Sequence, residues 1–207
     1  LPNGLPTGDT IDNVIISRDI YCISIDPETR FAAWVAYRLD SDTIGDSETR
    51  TDRVWESDPD LDPDIALEPE DYDGAYKALG VDRGHLAPLA SFKGANWQQT
   101  NYLSNIVPQK SSFNQGVWSD LEDYERSLAR EKPVWIITGT AYLEQMPQLP
   151  NADEAHIIPS AMWKIIITDT GTEAFYFEQN TKATDYRQGS FPPGTIEQIT
   201  GLDFPNI

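Results

Sequence analysis

The apolar residues of this chain fall almost everywhere in strand-sized runs, and one segment alone keeps helical spacing over several turns. In Gly116 to Arg130, Trp118, Leu121 and Leu128 recur at helical intervals, and Pro133 stands where the helix must stop. Before that segment, Val14 to Ile16, Asp19 to Ile25 and Phe31 to Leu39 read as strands, the last two joined by a hairpin around Asp26-Pro27-Glu28-Thr29. Val81 to Phe92 reads as a strand followed by a loop. After the helix, Val134 to Thr138, His156 to Ile158, Trp163 to Thr168 and Glu173 to Glu178 read as strands, with a turn at Gly171. Tyr72 to Leu79 and Thr195 to Thr200 are expected as short helices, the second stopped by Gly201. The first dozen residues, rich in Gly, Pro, Asp and Asn, read as a loop or extended arm. Strands on both sides of a central helix predict an α+β domain with a mostly antiparallel sheet. A length of 207 residues fits a single domain over residues 1–207. No apolar run approaches the roughly 20 residues that a bilayer span needs, so no membrane partner is expected.

The formal net charge is −19. Taken alone this argues against a polyanion partner, because phosphate binding rests on Lys and Arg. It equally suits a protein that works outside the cell or in saline water, or one that mimics nucleic acid. The single cysteine, Cys22, allows no intrachain disulfide; its alternating surroundings mark it as a small buried hydrophobe. The start, Leu1-Pro2-Asn3-Gly4-Leu5-Pro6, has no basic or apolar leader, which fits either an intracellular protein or the mature terminus of a secreted one; a start without Met favours the second. The run Glu56 to Asp73 opens like a calcium loop, but Pro63 and Pro69 stand where such a loop needs Gly and Glu. A solvated acidic loop is expected instead.

The chemistry concentrates between Asp82 and Arg126. Hydrolysis of a phosphodiester needs a base for water, charge neutralisation at phosphorus and stabilisation of the leaving oxygen. The chain has only two histidines, His85 and His156. A neutral imidazole is a base near pH 7, and His85 follows Arg83 and Gly84 in a loop where backbone approaches a ligand closely. Magnesium keeps most of its water and takes one or two protein oxygens, so Asn114, at the helix start, is a candidate ligand. Glu122 and Arg126 lie one turn apart on that helix. By default each of these is structural: an N-cap at Asn114, a helix salt bridge between Glu122 and Arg126, a core residue at His156, helix core at Trp118.

The block Asp82-Arg83-Gly84-His85-Leu86-Ala87-Pro88 resembles the signature of the DNA/RNA non-specific endonucleases. The resemblance continues through Asn101-Tyr102-Leu103-Ser104-Asn105-Ile106, Asn114-Gln115-Gly116-Val117-Trp118, Leu121-Glu122-Asp123 and His156 to Lys164, covering about Phe31 to Phe204. It implies a ββα-metal finger set in a sheet flanked by helices. It also implies roles: His85 as general base, Asn114 as the direct ligand of Mg2+ (with Mn2+ as a substitute), and Glu122 as the acid holding a metal-bound water. Arg53 is the implied phosphate-contacting arginine, Arg83 and Arg126 further phosphate or scaffold arginines, and Asn105 an asparagine lining the site. DNA and RNA, single- or double-stranded, are the implied substrates and 5′-phosphorylated oligonucleotides the products. A monomer is expected, because the chain ends soon after Gly201-Leu202-Asp203-Phe204.

Overall fold

The structure, a computed structural model, describes residues 1, 4–8, 12–44 and 53–205. Strands β1 (Val14–Ser17), β2 (Cys22–Ile25) and β3 (Ala32–Leu39) come first. A short helix α1 (Ala75–Leu79), β4 (Val81–His85) and β5 (Ile106–Lys110) follow. A single helical turn α2 (Ser111–Phe113) then leads through a π-helical stretch, Asn114–Trp118, into α3 (Ser119–Glu131). The chain closes with β6 (Val134–Ala141), β7 (Ala161–Thr168), β8 (Gly171–Glu178), β9 (Ser190–Phe191) and α4 (Pro193–Thr200). Seven strands form one sheet in the order β1-β2-β3-β6-β7-β8-β9, and β4 and β5 form a separate pair. Every strand pairing is antiparallel. The fold is therefore α+β with a mostly antiparallel sheet, and β4, β5 and the helix that follows make the expected ββα unit.

Strand alternation divides the core in two. Val35, Tyr37 and Leu39 of β3, Ile136 of β6 and Met162 and Ile166 of β7 face one way, toward Leu121 and Ala129 of α3. Trp34, Ile137, Trp163 and Ile165 face the other way, toward Ile196 of α4 and the terminal Leu202 and Phe204. Lys164 alternates with Met162 and Ile166 and therefore points into the α3 side, where it is fully buried. Gly201 ends α4 with φ +74°, the left-handed cap that only glycine adopts without strain.

Several expected elements shift. His156 to Ile158 is not a strand: its residues run as irregular chain. Continuous helix begins at Ser119 rather than Gly116, because Gly116 has non-helical φ −110° and ψ −118°. The helix over Tyr72 to Leu79 divides into a 3-10 turn, Pro69–Tyr72, and α1, with left-handed Gly74 between them. The expected N-terminal arm lies partly outside the described residues; within them, Thr7 pairs with Asp203 through hydrogen bonds of 3.0 and 2.8 Å.

Gly84 lies in β4, so the absence of a side chain serves strand packing rather than a loop. A Cβ there would overlap the side chain of Gln109, which is fully buried on the facing strand. Gly84→Ala should therefore lower unfolding free energy by about 1–3 kcal/mol, as overpacking of a filled core does. Urea denaturation measures it, and an unchanged midpoint would show that Gln109 relaxes freely.

Candidate active site

His85 is the last residue of β4, paired with Ile106, and not a loop residue as its neighbours in sequence suggested. Alternation along β4 puts Arg83 and His85 on one face and Asp82 on the other. The indole of Trp55 covers the first face. Its ring lies 5.4 Å from the His85 ring, and the guanidinium carbons of Arg53 and Arg83 each lie 5.6 Å from it. The segment bearing Trp55 is anchored by Glu56, which bridges to Tyr102 and whose carbonyl accepts from the Leu103 amide at 2.9 Å. Arg53, Trp55, Asp82, Arg83 and Asn114 line one open cleft of ≈ 420 Å³, with Tyr72 and Tyr76 along its side. Three expected site residues thus share a cleft, and His85 packs on its tryptophan wall.

The imidazole of His85 is oriented by Asn101, whose Oδ1 lies 3.1 Å from Nε2. A carbonyl oxygen only accepts, so Nε2 carries the proton and Nδ1 keeps the lone pair. Burial pushes the His85 pKa down to about 4; the Asn101 hydrogen bond opposes this, and Arg53 adds to it by charge repulsion. The ring is therefore neutral across the whole physiological range, as a base must be.

Asn114 is not an N-cap: it has αR geometry inside the helical run. Its Nδ2 donates to Asp82 Oδ2 at 3.0 Å, which leaves its Oδ1 aimed away from that carboxylate. Ser111 Oγ and Gln115 Nε2 donate to the same carboxylate at 2.6 and 2.8 Å. Burial raises the Asp82 pKa, but these three hydrogen bonds outweigh it and hold the group ionised below the usual carboxylate range. A fixed, neutral carbonyl oxygen with an ionised carboxylate behind it suits a hydrated hard cation, which takes few protein ligands. The π-turn around Gly116 also interrupts regular helical geometry between Asn114 and Glu122; such turns recur at functional sites.

Glu122 rests over a buried charged cluster. Burial pushes its carboxyl up to about 7, with Lys164 and Arg126 pulling it down and Glu125 and Asp123 pushing it up. Lys164 Nζ lies 2.6 Å from Glu125 Oε2 and 4.9 Å from the Trp118 ring centre, and both charged side chains are fully buried. Tyr37 and Ser91 hydroxyls donate to Glu125 Oε1 at 2.9 and 3.2 Å. This network fastens α3 to β3 and β7 beneath Glu122.

Residues 3–206 match the family described as DNA/RNA non-specific endonuclease. The chain belongs to that family. A nuclease of Serratia marcescens is 46% identical over 209 residues, covering 96% of this chain and 77% of that protein. The human mitochondrial endonuclease G is 37% identical, covering 92% of this chain and 69% of its own length. A solved chain from the EndoG/EndoGI complex superposes with a TM-score of 0.79 at 23% identity, over 92% of this chain and 84% of that one, and speaks for the fold. The protein is a nucleic-acid-hydrolysing endonuclease, and metal dependence fits its family.

Within this endonuclease, two expected site residues sit elsewhere. Asn105 is fully buried and does not line the cleft. Its Oδ1 accepts from the Ala87 amide at 2.8 Å, and its Nδ2 donates to the carbonyls of Ala87 and Thr100 at 3.0 and 2.8 Å. It clamps the chain leaving His85. Arg126 is buried too; it pairs with Asp123 at 2.6 Å rather than with Glu122, and reaches Ser91 Oγ at 3.4 Å. Neither side chain is among those lining the cleft.

His156 and Trp118 are core. His156 accepts from the Leu149 amide at 2.9 Å and its other nitrogen faces the Glu154 carbonyl at 2.9 Å, while Trp118 is fully buried. Cys22 is only half-buried. The acidic run is not wholly solvated: Asp58 and Asp71 are 3% exposed, and Asp58 binds Arg18 and Ser104. Among the described residues Glu68, Asp71 and Glu154 bring three carboxylates together, none of them a residue lining the cleft. Two contributors were missed in the sequence: Trp55, and Asn101 as the partner of His85. Asn101 carries a signal in the sequence, since an amide in the Asn101-Tyr102-Leu103-Ser104-Asn105-Ile106 block is a natural orienting group for an imidazole.

Proposed function

We propose that the endonuclease cleaves DNA and RNA, single- or double-stranded, with His85 as the general base. The observation that carries this is the cleft in which Arg53, Arg83 and Asn114 meet, walled by the Trp55 ring against which a neutral His85 is held by Asn101. His85 Nδ1 takes the proton of the attacking water, and Asn101 steadies the imidazolium that results. Arg53 and Arg83 orient the scissile phosphate and balance its growing charge. Asn114 Oδ1 would hold magnesium, with Glu122 accepting hydrogen bonds from its hydration shell; when bound, the ion stabilises the departing 3′ oxygen, so that the products carry 5′-phosphates. Asp82 keeps the Asn114 amide turned so that its oxygen remains available. Phosphate contacts carry no sequence information, hence the breadth of substrate.

Plasmid and ribosomal RNA digestion with magnesium, with and without EDTA, tests the reading. Both should be cut with magnesium and neither with EDTA; cutting that survives EDTA would overturn the metal assignment. Asn114→Ala should raise the magnesium concentration for half-maximal rate about 10- to 100-fold, the range seen when metal-site partners are removed. An unchanged titration would move the ligand elsewhere.

The charge of −19 adds a salt dependence. An acidic body repels nucleic acid at low ionic strength, and screening shortens that repulsion to about 3 Å at 1 M. Rates should hold or rise up to several tenths molar NaCl, which initial-rate assays across salt would show; a steep fall from the lowest salt upward contradicts it. The same acidic surface supports an extracellular, monomeric enzyme as part of this proposal.

A further inference from the structure

Among the described residues Tyr76 is the most exposed of the large apolar side chains, at 69%, yet it lines the same cleft as Arg53, Arg83 and Asn114. It projects from α1, whose two ends are fixed by left-handed Gly74 and Gly80 and whose first residue, Ala75, is buried. Its Cα is therefore anchored while its ring stays free. Among the described residues the ring has no aromatic partner and the hydroxyl no hydrogen bond. A single exposed tyrosine is ordinary. One beside two guanidiniums and a candidate metal ligand stands where a nucleic acid would have to pass.

The charge balance of the cleft shows what such a ring adds. Arg83 is partly committed, donating to the Pro69 carbonyl at 2.6 Å and lying 3.7 Å from Asp73. Asp82 is ionised on the opposite side. The two guanidiniums of the cleft thus share it with the Asp82 carboxylate, and Arg83 has Asp73 beside it as well, in a chain of net charge −19. Phosphate attraction alone is a weak source of affinity here, and it decays further as salt rises. Stacking of a base on an aromatic ring is not screened, and every base has a π-face. It therefore adds affinity without adding sequence preference.

Resting on the proposed nuclease reading, we infer that Tyr76 is a nucleobase-stacking subsite for single-stranded DNA or RNA, holding a base next to the phosphate bound at Arg53 and Arg83. A duplex keeps its bases stacked on one another, so the subsite favours single strands and frayed ends.

The test compares Tyr76→Ala, Tyr76→Phe and Tyr76→Trp on an unstructured oligothymidylate of about 20 nucleotides and on a duplex, at low and at several tenths molar NaCl. KM and kcat are measured with magnesium, and Kd for the labelled single strand by fluorescence anisotropy in EDTA. Tyr76→Ala should raise KM and Kd for the single strand about 5- to 100-fold at the higher salt, the range for loss of one stacked base. KM for the duplex should move several-fold less. Tyr76→Phe and Tyr76→Trp should stay close to the parent. Equal KM shifts on both substrates, an unmoved Kd, or Tyr76→Phe as weak as Tyr76→Ala would each overturn the subsite. A parent protein that cuts neither substrate would sink the hydrolytic reading instead, and the binding arm in EDTA would still decide on Tyr76.

Discussion

His85→Ala should lose about 10²- to 10⁴-fold in kcat, the usual contribution of a positioned general base, while keeping a melting curve near that of the parent. The imidazole touches the structure through Trp55 and Asn101, and its partner Asn101 is itself held in a buried segment, so removal of the ring leaves the fold its other supports. Plasmid nicking and circular dichroism on the same sample separate lost chemistry from lost structure. A folded variant with near-parent turnover would remove His85 from the mechanism. The pH profile carries a second signature. With its pKa pushed down to about 4 by burial and by Arg53, His85 is neutral and active above that value and is lost as a base only as pH falls through it. The acid limb attributable to His85 therefore belongs near pH 4, not near 6.5, where an exposed histidine titrates. Stability follows the same direction: between about 4 and 6.5 the unfolded chain binds the proton that folded His85 refuses, so unfolding becomes easier as pH drops through that window. Denaturant midpoints taken across those pH values, parent against His85→Ala, isolate the contribution.

The fold class and the residues that meet in the cleft are legible in the chain to different degrees, for physical reasons. Alternating apolar runs around one helix leave few choices but an antiparallel sheet, and Pro133 and Gly201 mark their helix ends because neither residue continues a helix. His85, Asn114, Arg53 and Arg83 were visible as residue types whose chemistry suits phosphodiester hydrolysis, arranged as in a known family. Trp55 was invisible because nothing local marks it: it meets His85 only through the pairing of Glu56 with Tyr102, a long-range contact that periodicity does not encode. For Asn105 and Arg126 the sequence leaves both readings open, because a polar residue in a motif signals chemistry and scaffolding alike; in the structure Asn105 spends its amide on Ala87 and Thr100, and Arg126 pairs with Asp123. Gly116 reads as a tolerable helix residue, and its departure from helical φ/ψ needed the surrounding turn to be seen. Lys164, in a run of strand-forming residues, gave no sign of its buried carboxylate partner on α3.

Lys164→Met should destabilise the fold by about 3–5 kcal/mol, because it strips a buried charge of its counter-ion. Glu125 would keep only the Tyr37 and Ser91 hydroxyls, in a place with no exposure to water. The methionine fills most of the lysine's volume, so the loss reports on charge rather than on a cavity. Against a typical total stability of about 5–15 kcal/mol, such a loss is a large share. At roughly 2–4 °C per kcal/mol for a domain of this size, melting should fall by about 6–20 °C. Adding Glu125→Gln removes the orphaned charge as well, and the double variant should recover part of the loss. Calorimetry on the two single variants and the double one closes the cycle. A single variant that melts within a degree or two of the parent would mean that Glu125 sheds its charge at little cost, and that the pair is not what holds α3 in place. The functional consequence follows from position: Glu122 lies three residues before Glu125 on the same helix and feels Lys164 as its strongest favourable charge. A partly recovered double variant should thus regain stability without regaining the parent's magnesium response, because neutralising the pair restores packing but not the field in which Glu122 ionises.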